Sequence, residues 1–217
     1  MKTWHRSLLL LTATSALLLT GCTGGGSSTK GKLEAAQSVY RTMSGCTAQA
    51  EITADYGQRV YGYTVDLTVK GGSGVMTVKE PENLAGTVLT WSDGETQLAF
   101  DGAELDTGAL SDSGLSPADA MPTILTACQG GEIVDCCMEE QAGAQVLHGT
   151  LDLDGDQGGQ IQCWFQPDSY GLLRAELSQD GVTVVTMKFS DFSFTFPEGG
   201  AEKAEVGGQA VLGRQDS

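Results

Sequence analysis

Every second residue over 48–56 is apolar. Ala48, Ala50, Ile52, Ala54 and Tyr56 alternate with Gln49, Glu51, Thr53 and Asp55. Only an extended strand turns a period of two into one buried and one wet face. The period continues over 59–70, where Tyr61, Tyr63, Val65, Leu67 and Val69 point one way and Gly62, Thr64, Asp66, Thr68 and Lys70 the other. Between such runs stand turn formers: Gly57-Gln58, Gly71-Gly72-Ser73-Gly74, Ser92-Asp93-Gly94-Glu95, Asp101-Gly102 and Asp180-Gly181. Asp-Gly between alternating segments is a hairpin signal. Strands are thus predicted over 48–56, 59–70, 75–79, 86–91 and 96–100. A second series is predicted over 145–153, 160–165, 173–179 and 182–189, with a last short strand at Phe192, Phe194 and Phe196. Hairpins succeed one another without a crossover helix at each step, which excludes a parallel nucleotide-binding sheet.

Two segments change period. Leu33, Ala36, Tyr40 and Met43 recur at three- and four-residue steps and predict a helix over 30–43, ended by Ser44-Gly45. Over 115–128, Ser116 is a cap, Pro117 suits the first helical position and Asp119 complements the dipole. Met121, Ile124, Leu125 and Cys128 make its apolar stripe. Pro122 predicts a kink or irregular turn, and Gly130-Gly131 a stop. The order helix, strands, helix, strands predicts an α+β fold, with helices on one face of a large antiparallel sheet.

The first 21 residues fall outside that domain. Lys2, His5 and Arg6 precede an apolar run over 8–19, and Leu19-Thr20-Gly21-Cys22 follows. A dozen apolar residues are too few for a membrane span but suit a secretory signal. The closing four residues resemble the bacterial lipobox. That resemblance implies a diacylglycerol thioether on Cys22, which makes the chain an extracytoplasmic lipoprotein held to the bacterial membrane by acyl chains (a palmitate-type anchor). The expected organisation is a signal peptide over 1–21, a Gly/Ser tether over 22–31, a folded domain over 32–197 and a disordered Gly-, Ala- and Glu-rich tail over 198–217.

Charge narrows the partners. Removing Lys2 and Arg6 with the leader leaves 10 basic against 28 acidic residues. Such a chain does not hold a nucleic-acid backbone and is repelled by anionic headgroups, so the lipid must do the anchoring. Of six cysteines, Cys22 is assigned to lipid. Five remain, Cys46, Cys128, Cys136, Cys137 and Cys163. An odd number leaves one thiol free or paired with a second copy, with connectivity undetermined. They form no CxxC, and His148 is the only histidine after Cys22, so no zinc site is expected. A catalytic triad would have to use His148, which sits in a predicted strand, and no enzyme is expected. Asp152, Asp154 and Asp156 mimic a calcium loop, but Gln157 and Cys163 stand where it needs Gly and Glu, leaving an acidic hairpin loop. No cofactor is expected.

Over residues 33–196 the chain resembles the LolA-like lipoprotein superfamily, which takes in lipoprotein carriers, their receptors and LppX-type lipoproteins. The resemblance rests on the first helix leading into 48–56, the paired strands 61–70 and 75–79, and Glu80-Pro81-Glu82-Asn83-Leu84-Ala85-Gly86. It continues through Trp91-Ser92-Asp93-Gly94, Phe100-Asp101-Gly102 and Ser116-Pro117 to Ala175-Glu176-Leu177, Asp180-Gly181 and Phe189-Ser190-Asp191-Phe192. Within that group it looks nearest to GerS-type germination lipoproteins of spore-forming bacteria. The resemblance implies a curved antiparallel half-barrel with helices packed on its concave face. It implies binding of a lipid or another hydrophobic ligand, with Tyr61, Tyr63, Val65, Leu67, Met121, Ile124 and Leu125 lining the cavity. Periodicity alone does not separate that cavity from a filled core. The alternative is a non-catalytic, partner-binding lipoprotein that supports an envelope or spore-cortex enzyme, as a single copy or a homodimer.

Overall fold

The computed structural model describes residues 25–109, 115–152 and 159–198. Helix α1 spans Gly25–Thr42. Six strands follow: β1 (Gly45–Asp55), β2 (Val60–Lys70), β3 (Ser73–Glu80), β4 (Val88–Ser92), β5 (Glu95–Phe100) and β6 (Ala103–Ala109). A short 3-10 turn, Glu82–Leu84, separates β3 from β4. Helix α2 (Pro117–Gly130) precedes β7 (Glu132–Gln141), β8 (Ala144–Asp152), β9 (Gly159–Phe165), β10 (Leu172–Gln179) and β11 (Val182–Thr195).

All eleven strands form one antiparallel sheet in the order β6-β5-β4-β3-β2-β1-β11-β10-β9-β8-β7. The first strand is the seam: β1 pairs β2 on one side and β11 on the other. Two meanders therefore run outward from β1, and their last strands, β6 and β7, are the open edges. The fold is α+β, a curved antiparallel half-barrel with both helices on one face. The Asp-Gly hairpins close as expected. Asp93-Gly94, Asp101-Gly102 and Asp180-Gly181 each place two residues at positive φ, the geometry of type I′ turns that matches strand twist.

Four elements depart from the sequence reading. Helix α1 begins at Gly25, so the tether expected over 22–31 is helical from that residue. Thr29 and Leu33, one turn apart, are buried, and α1 lies on β7 and β8. Packing outweighs the weak helix preference of Gly and Ser. Strands β6 and β7 were not expected at all, as both are edge strands rich in acidic residues. The closing strands expected over 182–189 and 192–196 are one strand, β11. Asp191 has φ 52°, and the register with β1 shifts between Thr47 and Gln49. A bulge thus carries the strand past the polar Ser190-Asp191 step.

The core fills the concave side. Leu33, Ala36 and Tyr40 of α1 and Met121, Ile124 and Cys128 of α2 are buried against Ile52, Leu67, Leu147, Leu151, Phe165, Leu177 and Met187 of the sheet. Gly149 permits the approach of α1, since a Cβ there would stand 2.6 Å from a Leu33 methyl. At the start of α2 the Ser116 hydroxyl accepts from the Asp119 N–H at 3.1 Å, the expected cap. The helix runs on through Pro122 without ending. Its far end is clasped by α1: Gln37 Nε2 donates to the Gly131 carbonyl at 2.8 Å and Arg41 Nη1 to that of Gln129 at 2.9 Å. Cys128 and Cys163 are buried thiols with sulfurs 3.8 Å apart. Residues 1–24, 110–114, 153–158 and 199–217 lie outside the described residues. The lipidation of Cys22, the acidic hairpin loop and nearly all of the expected disordered tail fall there.

Candidate functional site

The two helices cover the concave face unequally. Helix α1 leans on β7 and β8, and α2 crosses β1 and β8. Over Val65, Met76, Leu89 and Leu98 of β2–β5 the first residues of α2 overhang the face, and a cavity of about 350 Å³ remains there. Its floor, Met76, Leu89 and Leu98, is the middle of a ladder of apolar register partners. Leu67 faces Met76, Met76 faces Leu89, Leu89 faces Leu98 and Leu98 faces Leu105. Period-two alternation on consecutive antiparallel strands puts all five on one face. Tyr63, Val65 and Val78 extend the wall toward Ile52, and Pro117 and Ala118 form the roof. Thr87, Ser116 and the phenol of Tyr63 are the polar side chains in the lining. Two of the three are engaged: the Thr87 hydroxyl donates to the Leu84 carbonyl at 2.7 Å, and Ser116 caps α2.

Exposure grades along the ladder. Met76 and Leu89 are buried, Leu98 is partly buried and Leu105 is 60% exposed. Phe100 and Tyr61 are also exposed, at 40% and 39%. Tyr61 meets Tyr56 edge-on at 6.1 Å, and the Tyr56 hydroxyl donates to the Leu115 carbonyl at 2.9 Å, beside the start of α2. Exposed aromatic and aliphatic side chains thus lie around an apolar interior. A wider groove of about 650 Å³ runs along Glu51, Thr64, Lys79 and Glu82. Its charged lining makes it a solvated surface feature.

Of the expected cavity residues, Tyr63 and Val65 line the cavity. Tyr61 stands outside its lining. Leu67 is buried in the sheet core beneath the helices, and Met121 and Ile124 are fully enclosed between α2 and the sheet. Leu125 borders a separate crevice of about 100 Å³ with Met43 and Trp91. Sequence reasoning missed Met76, Val78, Leu84, Leu89, Leu98, Phe100, Pro117 and Ala118. The signal that finds them is the alternation of β3–β5 carried across the Asp93-Gly94 hairpin. Register then follows from turn length.

His148 lies on the opposite face of the sheet, since its neighbours Leu147, Gly149 and Leu151 point to the helices. No serine or aspartate stands against it among the described residues; its partners are Glu139 and Cys137. The Cys137 thiol is not an activated nucleophile. Partial burial, then the Glu139 carboxylate and Asp135, push its pKa up. A catalytic cysteine needs the reverse.

No protein-family model matches the chain, and no curated protein matches it. The chain is similar to several solved structures. One is the lipoprotein LppX of Mycobacterium tuberculosis, with 12% identity and a TM-score of 0.46 over 76% of this chain and 95% of that one. Another is a LolA superfamily protein of Nitrosomonas europaea, with 10% identity and a TM-score of 0.40 over 76% and 92%. A third is MucB of Pseudomonas aeruginosa in its complex with MucA, with 12% identity and a TM-score of 0.40 over 79% and 59%.

Proposed function

We propose that this chain is an extracytoplasmic lipoprotein, anchored through Cys22, whose domain holds a lipid acyl chain or a ligand of similar apolar character in the cavity beneath Ser116–Ala118. The supporting observation is the character of that cavity. Its lining is aliphatic and aromatic apart from the Tyr63 phenol and the hydroxyls of Thr87 and Ser116, both of which are bonded internally, and exposed apolar side chains surround it. A soluble domain gains nothing from keeping such a surface empty. At about 30 Å³ per water-sized group, the space takes roughly ten methylenes. Burial at about 0.8 kcal/mol each supplies about 8 kcal/mol before the cost of association. The anchor follows from the basic start, apolar run and lipobox-like Leu19-Thr20-Gly21-Cys22.

Native mass spectrometry of the purified chain tests the ligand reading. An added mass that is lost on denaturation is expected. Leu98→Asp, which sets a charge in the wall, should abolish it while the far-ultraviolet circular dichroism stays unchanged. A bare wild-type mass from a lipid-rich host, together with no displacement of a fluorescent fatty acid, defeats the reading. A second reading is a partner-binding module that supports an envelope or spore-cortex enzyme. It draws on the exposed Tyr56, Tyr61, Phe100 and Leu105. Recovery of one specific hydrolase from native membranes, lost in Leu105→Asp but kept in a cavity-blocked variant, would decide for it.

A further inference from the structure

On the face of the sheet away from the helices, the pairing of β7 with β8 assembles three metal-ligating side chains. Cys137 is the register partner of His148, and Glu139 lies two residues further along the same strand. The Cys137 sulfur is 3.7 Å from His148 Nδ1 and 3.6 Å from Glu139 Oε1, and Nδ1 is 2.7 Å from Oε1. The geometry points to a zinc site formed by Cys137 Sγ, His148 Nδ1 and Glu139 Oε1. With Zn–S about 2.3 Å and Zn–N and Zn–O about 2.0–2.2 Å, tetrahedral ligands stand about 3.5 Å apart at the sulfur edges and about 3.3 Å apart at the N···O edge. Two of the three edges already have that length. The third opens by about 0.6 Å once the proton between Nδ1 and Oε1 leaves.

The surroundings hold these atoms in place. Glu139 Oε2 accepts from Trp164 Nε1 at 3.0 Å and from Gln141 Nε2 at 3.2 Å, which leaves Oε1 turned to the site. The His148 ring stacks on the Trp164 indole at 4.5 Å with the planes 1° apart, and the Arg174 guanidinium lies over the same indole at 5.0 Å. Oriented outer groups of this kind are the usual support of a metal site. Thiolate, imidazole and one carboxylate select zinc over calcium or magnesium, which need all-oxygen shells. Cys137 is exposed, so water completes the fourth position. On binding, the thiol proton passes to solvent and the imidazole proton leaves Nδ1 for Nε2. The new thiolate and the existing Glu139 carboxylate together neutralise the dication.

Cobalt(II) titration of the full, reduced chain tests the site. One equivalent should raise a thiolate-to-cobalt charge-transfer band that zinc displaces. Cys137→Ser should remove the band. Cys136→Ser, whose side chain is on the other face of β7, should keep it and serves as the fold control. Trp164→Phe removes a donor from Oε2 and should weaken binding 10- to 100-fold. A wild-type chain with no band up to about millimolar cobalt, or a band that survives Cys137→Ser, overturns the assignment.

Discussion

At Tyr40 a phenol is taken entirely out of water. The side chain is fully buried, its hydroxyl donates to the Tyr170 carbonyl at 3.0 Å, and its ring meets Phe165 and Phe194 edge-on at 5.9 and 5.1 Å. Burial pushes its pKa well above the ordinary tyrosine value, and the nearby Cys128, Cys163 and Cys46 add to the shift. The sign is definite. The folded chain keeps the proton where the unfolded chain releases it, so this contribution is complete below about pH 10 and fades as pH rises. Tyr40→Phe keeps the ring and loses the hydrogen bond, costing about 1 kcal/mol at neutral pH. Thermal melts from pH 7 to 11 should show the gap between wild type and variant narrowing above pH 10. A constant gap would mean that the phenol is wetter than its burial indicates.

At the scale of elements, the bond between the helices matters more than either helix alone. Isolated helices of this length are marginal, and α1 opens with Gly, Ser and Thr. Gln37 is buried, and its amide reaches the Gly131 carbonyl at the end of α2. Gln37→Ala leaves that carbonyl without its donor and should cost about 1–3 kcal/mol. Hydrogen exchange should then speed up first in α1 and the last turn of α2, with β1 and β11 still protected. Loss of protection across the whole sheet at once would show that the clasp is part of one cooperative unit. The strands were legible wherever one face is buried and the other wet, as in β1 and β2, because the alternation is itself the burial pattern. It failed at β6 and β7, where the edge position removes that contrast: Glu132-Ile133-Val134-Asp135 reads as no period at all. The zinc ligands were hidden for a related reason. Cys137 and His148 are eleven residues apart with no ligand spacing, and only their pairing across the Ala142-Gly143 turn brings them together. The cavity residues of β3–β5 were visible singly as apolar positions. What the chain alone did not show was that the helices would leave them uncovered.

Across the whole molecule, cover and vacancy are divided between the two meanders that leave β1. One meander, β7–β11, lies under α1 and α2 and is packed with Leu147, Leu151, Phe165, Leu177 and Met187. The other, β2–β6, carries an apolar ladder whose middle, Met76, Leu89 and Leu98, is overhung by the start of α2. A cavity of about 350 Å³ forgoes dispersion contacts that a filled core would make, so it is a place where stability has been left unclaimed. Ala118 sits in its roof, partly buried, on the first turn of a capped helix. Ala118→Leu adds three carbons to open space without changing helix preference, since Ala and Leu are both strong helix formers. It should raise stability by about 0.5–2 kcal/mol, or about 1–8 °C in Tm at the scale typical of a chain this size. If the space serves a ligand, the same substitution should reduce the binding of a fluorescent fatty acid, so stability and binding move in opposite directions. Thermal melts and titrations on one preparation read both. A stabilised variant with undiminished binding would place the ligand elsewhere, and a destabilised one would mean that the roof of α2 is already in close contact with the ladder.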